Sequence, residues 1–371
     1  MDTSRAHNKK LGLARLIAGN LAIFGLLLII IEGLASYGLL VRSIMTTSIM
    51  AERRHTKYDP DLGWVNEPNV NIRDMYGPGI YLRTNAQGFR NNHNISAAVP
   101  AGKARIVCSG DSFTLGYGVD NEHTWCSLLS FLEPRLEAVN MGQGGYGVDQ
   151  AYLWYKRDGA KIEHQVHLFA FITGDFSRMK YDSFEGYPKP VLDVENGALV
   201  VKNVPVPRRN YYFPWIENLG HLRTVEFLNR VRQKIGLATA ESYQLTQRER
   251  DEQTREILHK VFEDLKSINE RRSSKVVLVY LPDIDALKGE GPREWTNFLE
   301  EESRSLEIPL INLFTEFRSL PHEEVVDLFI SEEKRGIGHF NEAGNALVAK
   351  LIHDKLMNHP AISRVLSARL R

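Results

Sequence analysis

The stretch Ile106-Val107-Cys108-Ser109-Gly110-Asp111-Ser112-Phe113-Thr114-Leu115-Gly116 decides how the chain is read. Its apolar opening is a short strand, Ser109-Gly110 breaks that strand, and Asp111-Ser112 sits on a tight turn leading through Gly116 and Gly118 toward a helix. A serine at the carboxyl end of a parallel strand, beside outward-pointing backbone amides, is well placed to act as a nucleophile. The same text also fits a phosphate-cradling loop or a plain strand-to-helix turn. The flanking sequence has to decide.

Working outward, apolar runs at Arg105–Cys108, Ala138–Met141, Val166–Ile172, Lys275–Leu281 and Ile308–Asn312 are candidate strands. Helical patterns at Glu122–Leu132, Val148–Lys156, Gln247–Asn269 and Trp295–Ser305 lie between or after most of them. Continuous apolar strands alternating with helices predict an α/β fold, a doubly wound parallel sheet of five strands covered on both faces. This domain is expected over residues 101–360, with an insertion at about 176–244. Within the insertion, Pro188, Pro190, Pro205 and Pro207 surround an extended Ala198-Leu199-Val200-Val201, which predicts a hairpin-like lid followed by a helix near Asn218–Ile235. Upstream, residues 42–100 carry Pro, Gly and Asn too densely for long helices. They predict an irregular extension with short strands that covers the domain, in which Arg90 packs at the surface.

Residues 16–41, Leu16 to Val41, form an apolar run whose only charge is Glu32. As a helix the run would reach roughly 39 Å, enough to span a bilayer with tilt. An uncleaved transmembrane helix is expected, with a cleavable signal peptide as the rival. Glu32 lies off-centre, where it can reach the headgroups or a partner helix. Arg5, Lys9, Lys10 and Arg15 precede the span, and Arg42, Arg53, Arg54 and Lys57 follow it, so charge alone nearly ties. A short basic tail over residues 1–15 ahead of a single span favours a cytoplasmic tail and an extracytoplasmic domain. Overall charge is balanced, with 46 Lys+Arg against 46 Asp+Glu, and no basic stripe with interleaved aromatics occurs, which argues against nucleic acid as a partner. Cys108 and Cys126, the only two cysteines, lack metal-ligand spacing and are read as small buried hydrophobes. A Cys108–Cys126 disulfide stays open for a domain outside the cytosol.

Gly336-Ile337-Gly338-His339-Phe340-Asn341-Glu342-Ala343-Gly344-Asn345 ends the informative text. Asn341 is a plausible N-cap for an amphipathic helix through Met357, so His339 falls on the loop after the fifth strand. A serine hydroxyl needs a neighbouring base to attack an ester at neutral pH, and imidazole titrates in the right range. Ser112 and His339 form such a candidate pair. Gly142-Gln143-Gly144-Gly145-Tyr146-Gly147 brings bare backbone toward them as a source of oxyanion donors, or simply makes a tight turn. Thr114 at the second glycine position separates the serine turn from the Gly-x-Ser-x-Gly elbow.

These blocks resemble the SGNH, or GDSL, hydrolases. Gly110-Asp111-Ser112-Phe113-Thr114-Leu115-Gly116 is similar to the first block, Asn140-Met141-Gly142-Gln143-Gly144-Gly145 to the second, and His339 with Asn341 and Gly344 to the last. The likeness keeps block order over about Ala101–Met357. It implies a flavodoxin-like three-layer α/β/α sandwich, Ser112 as nucleophile, the Ser112 and Gly145 amides as oxyanion donors, His339 as base, and neither metal nor organic cofactor. Gly63-Trp64, Gly88-Phe89-Arg90 and the anchor resemble a membrane-anchored bacterial subset of the family.

Two positions depart from the pattern. Gly174, in Thr173-Gly174-Asp175, stands where the third block usually has an oxyanion asparagine, leaving Thr173 or a backbone amide at Gly174 to substitute. Gly336 stands where an aspartate usually precedes the histidine by three residues. Asp327, Glu332 and Glu333 are the loop carboxylates that could orient His339, and a backbone carbonyl could do so instead. The expectation is a membrane-anchored serine esterase that hydrolyses or transfers a small acyl ester, with an acylated envelope glycan as substrate. Two rivals are a catalytically degenerate binding or assembly protein and a phosphate-binding flavodoxin-like module, the second of which leaves His339 without a role.

Overall fold

The computed structural model describes residues 2–46, 54–208, 224, 240–288, 293–331 and 336–369. They fall into two compact units, Met1–Met50 with Asn210–Arg248, and Ala51–Arg209 with Glu249–Arg371. In the first, helix α1 runs Asp2–Thr46, and its Arg15–Leu39 stretch has the length and composition of a membrane span or a signal sequence. Leu21, Ile29 and Leu34 on this stretch are exposed. The Glu32 carboxylate accepts hydrogen bonds from the N–H and hydroxyl of Thr224, at 3.0 and 2.6 Å. Apart from Thr224, the helix expected near Asn218–Ile235 lies outside the described residues.

The second unit opens with two antiparallel hairpins, β1 (Thr56–Asp59) with β2 (Gly63–Asn66), and β3 (Asn71–Gly77) with β4 (Ile80–Arg83). This extension covers an edge of the main sheet. The Arg90 N–H donates to the Asn140 carbonyl at 2.9 Å, and the Asn140 N–H donates to Asn91 Oδ1 at 3.0 Å, so backbone groups that would otherwise be open to pairing are used. Arg157 adds a clamp on Asp59, its Nη1 lying 2.8 and 2.9 Å from the two carboxylate oxygens.

The core then alternates as expected: β5 (Ala104–Gly110), α2 (Ser112–Leu115), α3 (Trp125–Leu132), β6 (Leu136–Gly142), α4 (Val148–Arg157), β7 (Val166–Phe171) and α5 (Thr173–Arg178). Four short strands of the insertion follow, β8 (Ser183–Phe184), β9 (Tyr187–Pro188), β10 (Val191–Glu195) and β11 (Ala198–Lys202), the last two forming the expected hairpin. After α6 (Ala240–Arg271) come β12 (Lys275–Tyr280), α7 (Ile284–Lys288), α8 (Arg293–Ser305), β13 (Leu310–Asn312), α9 (Phe314–Arg318), α10 (His322–Val326), α11 (Glu342–Asn358) and α12 (Pro360–Arg369). The sheet order is β13-β12-β7-β5-β6 with every pair parallel. In strand sequence this is the flavodoxin-like 2-1-3-4-5 order, with its switch point between β5 and β7.

Period-two alternation along the strands builds the three layers. Ile106 and Cys108 of β5 join a core with Trp125 and Leu129 of α3 and Val348 and Ile352 of α11. Val107 points the other way, into a core with Tyr155 of α4, Phe262 of α6 and Leu299 of α8. Because both faces are covered, the strands read as continuous apolar runs. Helix α3 starts at Trp125 rather than Glu122 because the Thr124 hydroxyl caps it, accepting from the Ser127 N–H.

Two sequence expectations change here. Cys108 and Cys126 are joined as a disulfide, because α3 lies against β5 and brings their Cα atoms to 6.3 Å. Arg90 is fully buried rather than a surface residue. Its guanidinium donates to the carbonyls of Leu115, Gly116 and Val119 at 2.5–2.6 Å and to Asn121 Oδ1 at 3.0 Å, which is how a cation is accommodated in the interior.

Candidate active site

Three loops leave the carboxyl ends of β5, β6 and β7 at the switch point, where open α/β sheets bind ligands. Close backbone approach explains the glycines of the first two. A Cβ on Gly110 would lie 2.3 Å from Thr114 Oγ1, and one on Gly142 would lie 1.9 Å from the Leu115 nitrogen. Helix α2 is thereby seated on the second loop. Asp111 caps α2, its Oδ1 accepting from the Phe113 N–H at 2.9 Å, and Ser112 opens the turn.

The Ser112 Oγ lies 2.8 Å from His339 Nε2. His339 arrives from the far end of the chain on a loop held by its own backbone: Ile330 N–H donates to the His339 carbonyl, and Gly338 N–H to the Ile330 carbonyl. Asn341 caps α11 as expected, accepting from the Gly344 N–H at 3.0 Å. The other ring nitrogen, Nδ1, is 3.1 Å from the Gly336 carbonyl oxygen. A carbonyl can only accept, so Nδ1 carries the proton and Nε2 presents its lone pair to Ser112, the tautomer a general base requires. Burial holds the His339 pKa below its ordinary value of 6.5, with Asp111 and the Gly336 and Ile337 backbone pulling the other way.

The orienting partner of His339 is therefore main chain. Asp327 is exposed, and what it offers this region is its backbone carbonyl, which accepts from Asn341 Nδ2 at 2.6 Å. Glu332 and Glu333 lie outside the described residues. Gly336 has φ +96, and a Cβ there would meet Tyr117 Cδ1 at 3.0 Å, Ile330 Cδ1 at 3.1 Å and Gly118 Cα at 3.2 Å.

Gly145, with φ +75, projects from the second loop under aromatic rings: a Cβ would come 2.7 Å from Phe184 and 3.4 Å from Trp64. Trp64 Nε1 donates to the Gly144 carbonyl at 2.9 Å and fixes the loop. Among the described residues, neither the Ser112 N–H nor the Gly145 N–H has a hydrogen-bond partner. At the third loop, Thr173 Oγ1 is 2.7 Å from the Tyr280 hydroxyl. Gly174 is uncrowded, since a Cβ would meet only Ile172 side-chain atoms at 3.4 and 3.8 Å.

Sequence reading missed a buried ionic group that ties these loops together. Arg178 Nη1 donates to the Tyr146 carbonyl at 2.8 Å and lies 3.3 Å from Asp111 Oδ2 and 2.5 Å from Asp175 Oδ1. Burial, then the charge of Asp111, pushes the Asp175 carboxyl well above the ordinary range, against the pull of Arg178. The local clue was an aspartate and an arginine three apart on a helix start. Their partners are far away in sequence. A surface group of potential metal ligands, Asp120, His123 and Glu342, also forms, already linked by a 2.8 Å contact between Asp120 Oδ1 and His123 Nδ1.

A flavodoxin-like sandwich therefore carries at its switch point a serine–imidazole pair and two N–H groups without partners among the described residues. Solved structures similar to the chain include lipolytic proteins of the G-D-S-L family and esterases. A member of that family from Veillonella parvula is 13% identical, with a TM-score of 0.39 over 69% of this chain and 99% of that one. The lipase/acylhydrolase from Enterococcus faecalis is 16% identical, with a TM-score of 0.37 over 68% and 95%. The acetyl xylan esterase AlAXEase is 13% identical, with a TM-score of 0.35 over 68% and 99%. No family model matches the sequence, and no curated protein matches it.

Proposed function

We propose that the chain is a membrane-anchored SGNH-type serine esterase that hydrolyses or transfers a small acyl group. The observation that carries this reading is the 2.8 Å contact between Ser112 Oγ and the lone-pair nitrogen of His339. Ser112 Oγ attacks the ester carbonyl as His339 Nε2 takes its proton, and the tetrahedral oxyanion is met by the N–H groups of Ser112 and Gly145. Collapse expels the alcohol, which recovers the proton from His339 and leaves an acyl-serine. Water or a sugar hydroxyl, deprotonated by the same imidazole, then releases the acyl group. Through both halves the Gly336 carbonyl holds Nδ1–H, and the Asp111 carboxylate offsets the imidazolium charge.

Anchoring through Leu16–Val41 and export of the second unit complete the proposal. The Cys108–Cys126 disulfide supports an oxidising compartment. Trp64, Phe184 and Tyr187, half-buried rings near Gly145, support an acylated glycan as substrate, because their faces offer apolar area to a sugar ring. The absent donor at Gly174 favours the second reading, a degenerate envelope-binding protein. One experiment separates the two. On the full chain in detergent, a fluorophosphonate probe is expected to label wild type and not Ser112→Ala, with turnover of short-chain aryl esters lost in parallel. Absence of Ser112-dependent labelling and turnover means a binding protein. For topology, a reporter active only in the cytoplasm, fused after Arg371, is expected to be silent.

A further inference from the structure

The base that faces Ser112 is held by more than one carbonyl. The rings of Phe113 and Tyr117 flank the His339 imidazole, with centroids at 4.7 and 5.0 Å and interplanar angles of 32° and 33°. Tyr117 also meets the loop that supplies the Nδ1 acceptor, since its Cδ1 sets the 3.0 Å limit at the Cβ position of Gly336. One side chain therefore bounds both the imidazole and its hydrogen-bond acceptor.

Tyr117 is in turn held from the amino-terminal extension. Tyr76, a buried residue of β3, lies against it with ring centroids 4.7 Å apart. Arg90 sits 5.8 Å over the Tyr76 ring, and its three short hydrogen bonds reach the carbonyls of Leu115, Gly116 and Val119, which bracket Tyr117 in sequence. A carbonyl accepts one hydrogen bond from Nδ1 but has no charge with which to hold the ring against rotation. Two aromatic faces supply the missing restraint.

We infer that Tyr117 is a positioning residue for His339, and that the extension, through Tyr76 and Arg90, sets Tyr117 so that this ring clamp orients the base where Gly336 leaves no carboxylate to do so. The inference rests on the Ser112–His339 reading, and it makes the extension part of the active site. The charged groups that act on the imidazole from the packed elements are Asp111 of the α2 turn and Arg178 of α5, and Tyr117 packs against it through its ring.

Histidine C2-hydrogen exchange, read by mass spectrometry on the full chain in detergent, follows the His339 titration without needing turnover. Tyr117→Phe keeps the ring and is expected to stay closer to wild type than Tyr117→Leu in both exchange and kinetics. Tyr117→Leu admits water to the imidazole, so the exchange midpoint is expected to rise toward the ordinary histidine range by roughly half to one pH unit. In the same variant kcat on an aryl acetate is expected to fall about ten- to a hundredfold with KM nearly unchanged, the cost of a misplaced base. Tyr76→Leu, which does not touch the imidazole, is expected to move both readouts in the same direction by less. If Tyr117→Leu and Tyr76→Leu, both folded by thermal melting, leave the His339 midpoint and kcat at wild-type values, the clamp is wrong. Should Tyr117→Leu not fold, Tyr76→Leu decides by itself. A wild-type chain without turnover overturns the esterase reading, and the exchange midpoints then judge the clamp independently.

Discussion

Placing an aspartate at position 336 supplies the residue that the SGNH pattern has there, and it is expected to make the protein worse. Two costs follow from the geometry. At φ +96 an L side chain is strained, by roughly 1–2 kcal/mol. Its Cβ would also crowd Tyr117, Ile330 and the Gly118 backbone at 3.0–3.2 Å, and overpacking of this kind costs about 1–3 kcal/mol. Together they give about 2–5 kcal/mol, which at roughly 2 °C per kcal/mol for a unit of this size is a fall in Tm of about 4–10 °C. The loop relieves that strain by moving the Gly336 carbonyl, the acceptor of His339 Nδ1–H. Displacement of about 1 Å is enough to lower kcat roughly a hundredfold. Thermal melting and aryl acetate kinetics on wild type, Gly336→Ala and Gly336→Asp provide the measurement. Alanine carries the strain without the carboxylate, so the two variants are expected to fall together. An aspartate variant that melts like wild type and turns over faster refutes the reasoning, because it shows a loop that accepts an acid and an imidazole that wanted one.

Position 174 is expected to behave in the opposite way: its Cβ direction is open, so Gly174→Asn can add the absent amide donor and raise kcat by up to about a hundredfold, the scale of one oxyanion hydrogen bond. Unchanged kcat in a folded Gly174→Asn would mean that another group already fills that role. Acid is expected to weaken the fold in a way that follows from its histidines. Burial lowers His55 to about 3 and depresses His164, His167 and His339, so below the ordinary 6.5 the unfolded chain binds protons that the folded chain refuses. Each such group removes about 1.4 kcal/mol per pH unit as pH falls from 6.5 toward its folded value. Asp175 works the other way, since its raised folded pKa adds stability as pH falls through that value toward the ordinary 3.8. Urea midpoints are therefore expected to drop between pH 6.5 and 5, with a shallower dependence in His55→Leu, whose native ring nitrogens have no hydrogen-bond partner. Equal midpoints at the two pH values would contradict the assignment.

What the sequence disclosed and what it withheld divide along a physical line. Strands buried on both faces announce themselves as apolar runs, and Ser112, Gly145 and His339 each occupy a loop after such a run, so the sequence already put them at one end of the sheet. Arg90 could not. Its burial depends on carbonyls 25, 26 and 29 residues later, and nothing in Gly88-Phe89-Arg90 reveals them. Pairing of Cys108 with Cys126 likewise depends on where α3 lands on β5. The partner of His339 was the least legible of all, because a backbone carbonyl is the same at every residue and leaves no mark in the sequence.

The two glycines that interrupt the family pattern look alike as letters but differ as structure. At Gly336 the surroundings have closed in: a left-handed backbone, Tyr117 and the Gly118 main chain occupy the room an aspartate would need, and the carbonyl already serves Nδ1. That site is built around having no side chain. At Gly174, among the described residues and outside its own helix backbone, a Cβ would meet only Ile172 side-chain atoms, and the neighbouring Thr173 hydroxyl already pairs with Tyr280. The first position has no room for a side chain, whereas the second has room for one. On the proposed esterase reading, any deficit in catalytic power is therefore expected on the oxyanion side of the site, while the histidine side has a carbonyl and flanking rings in place of an acid.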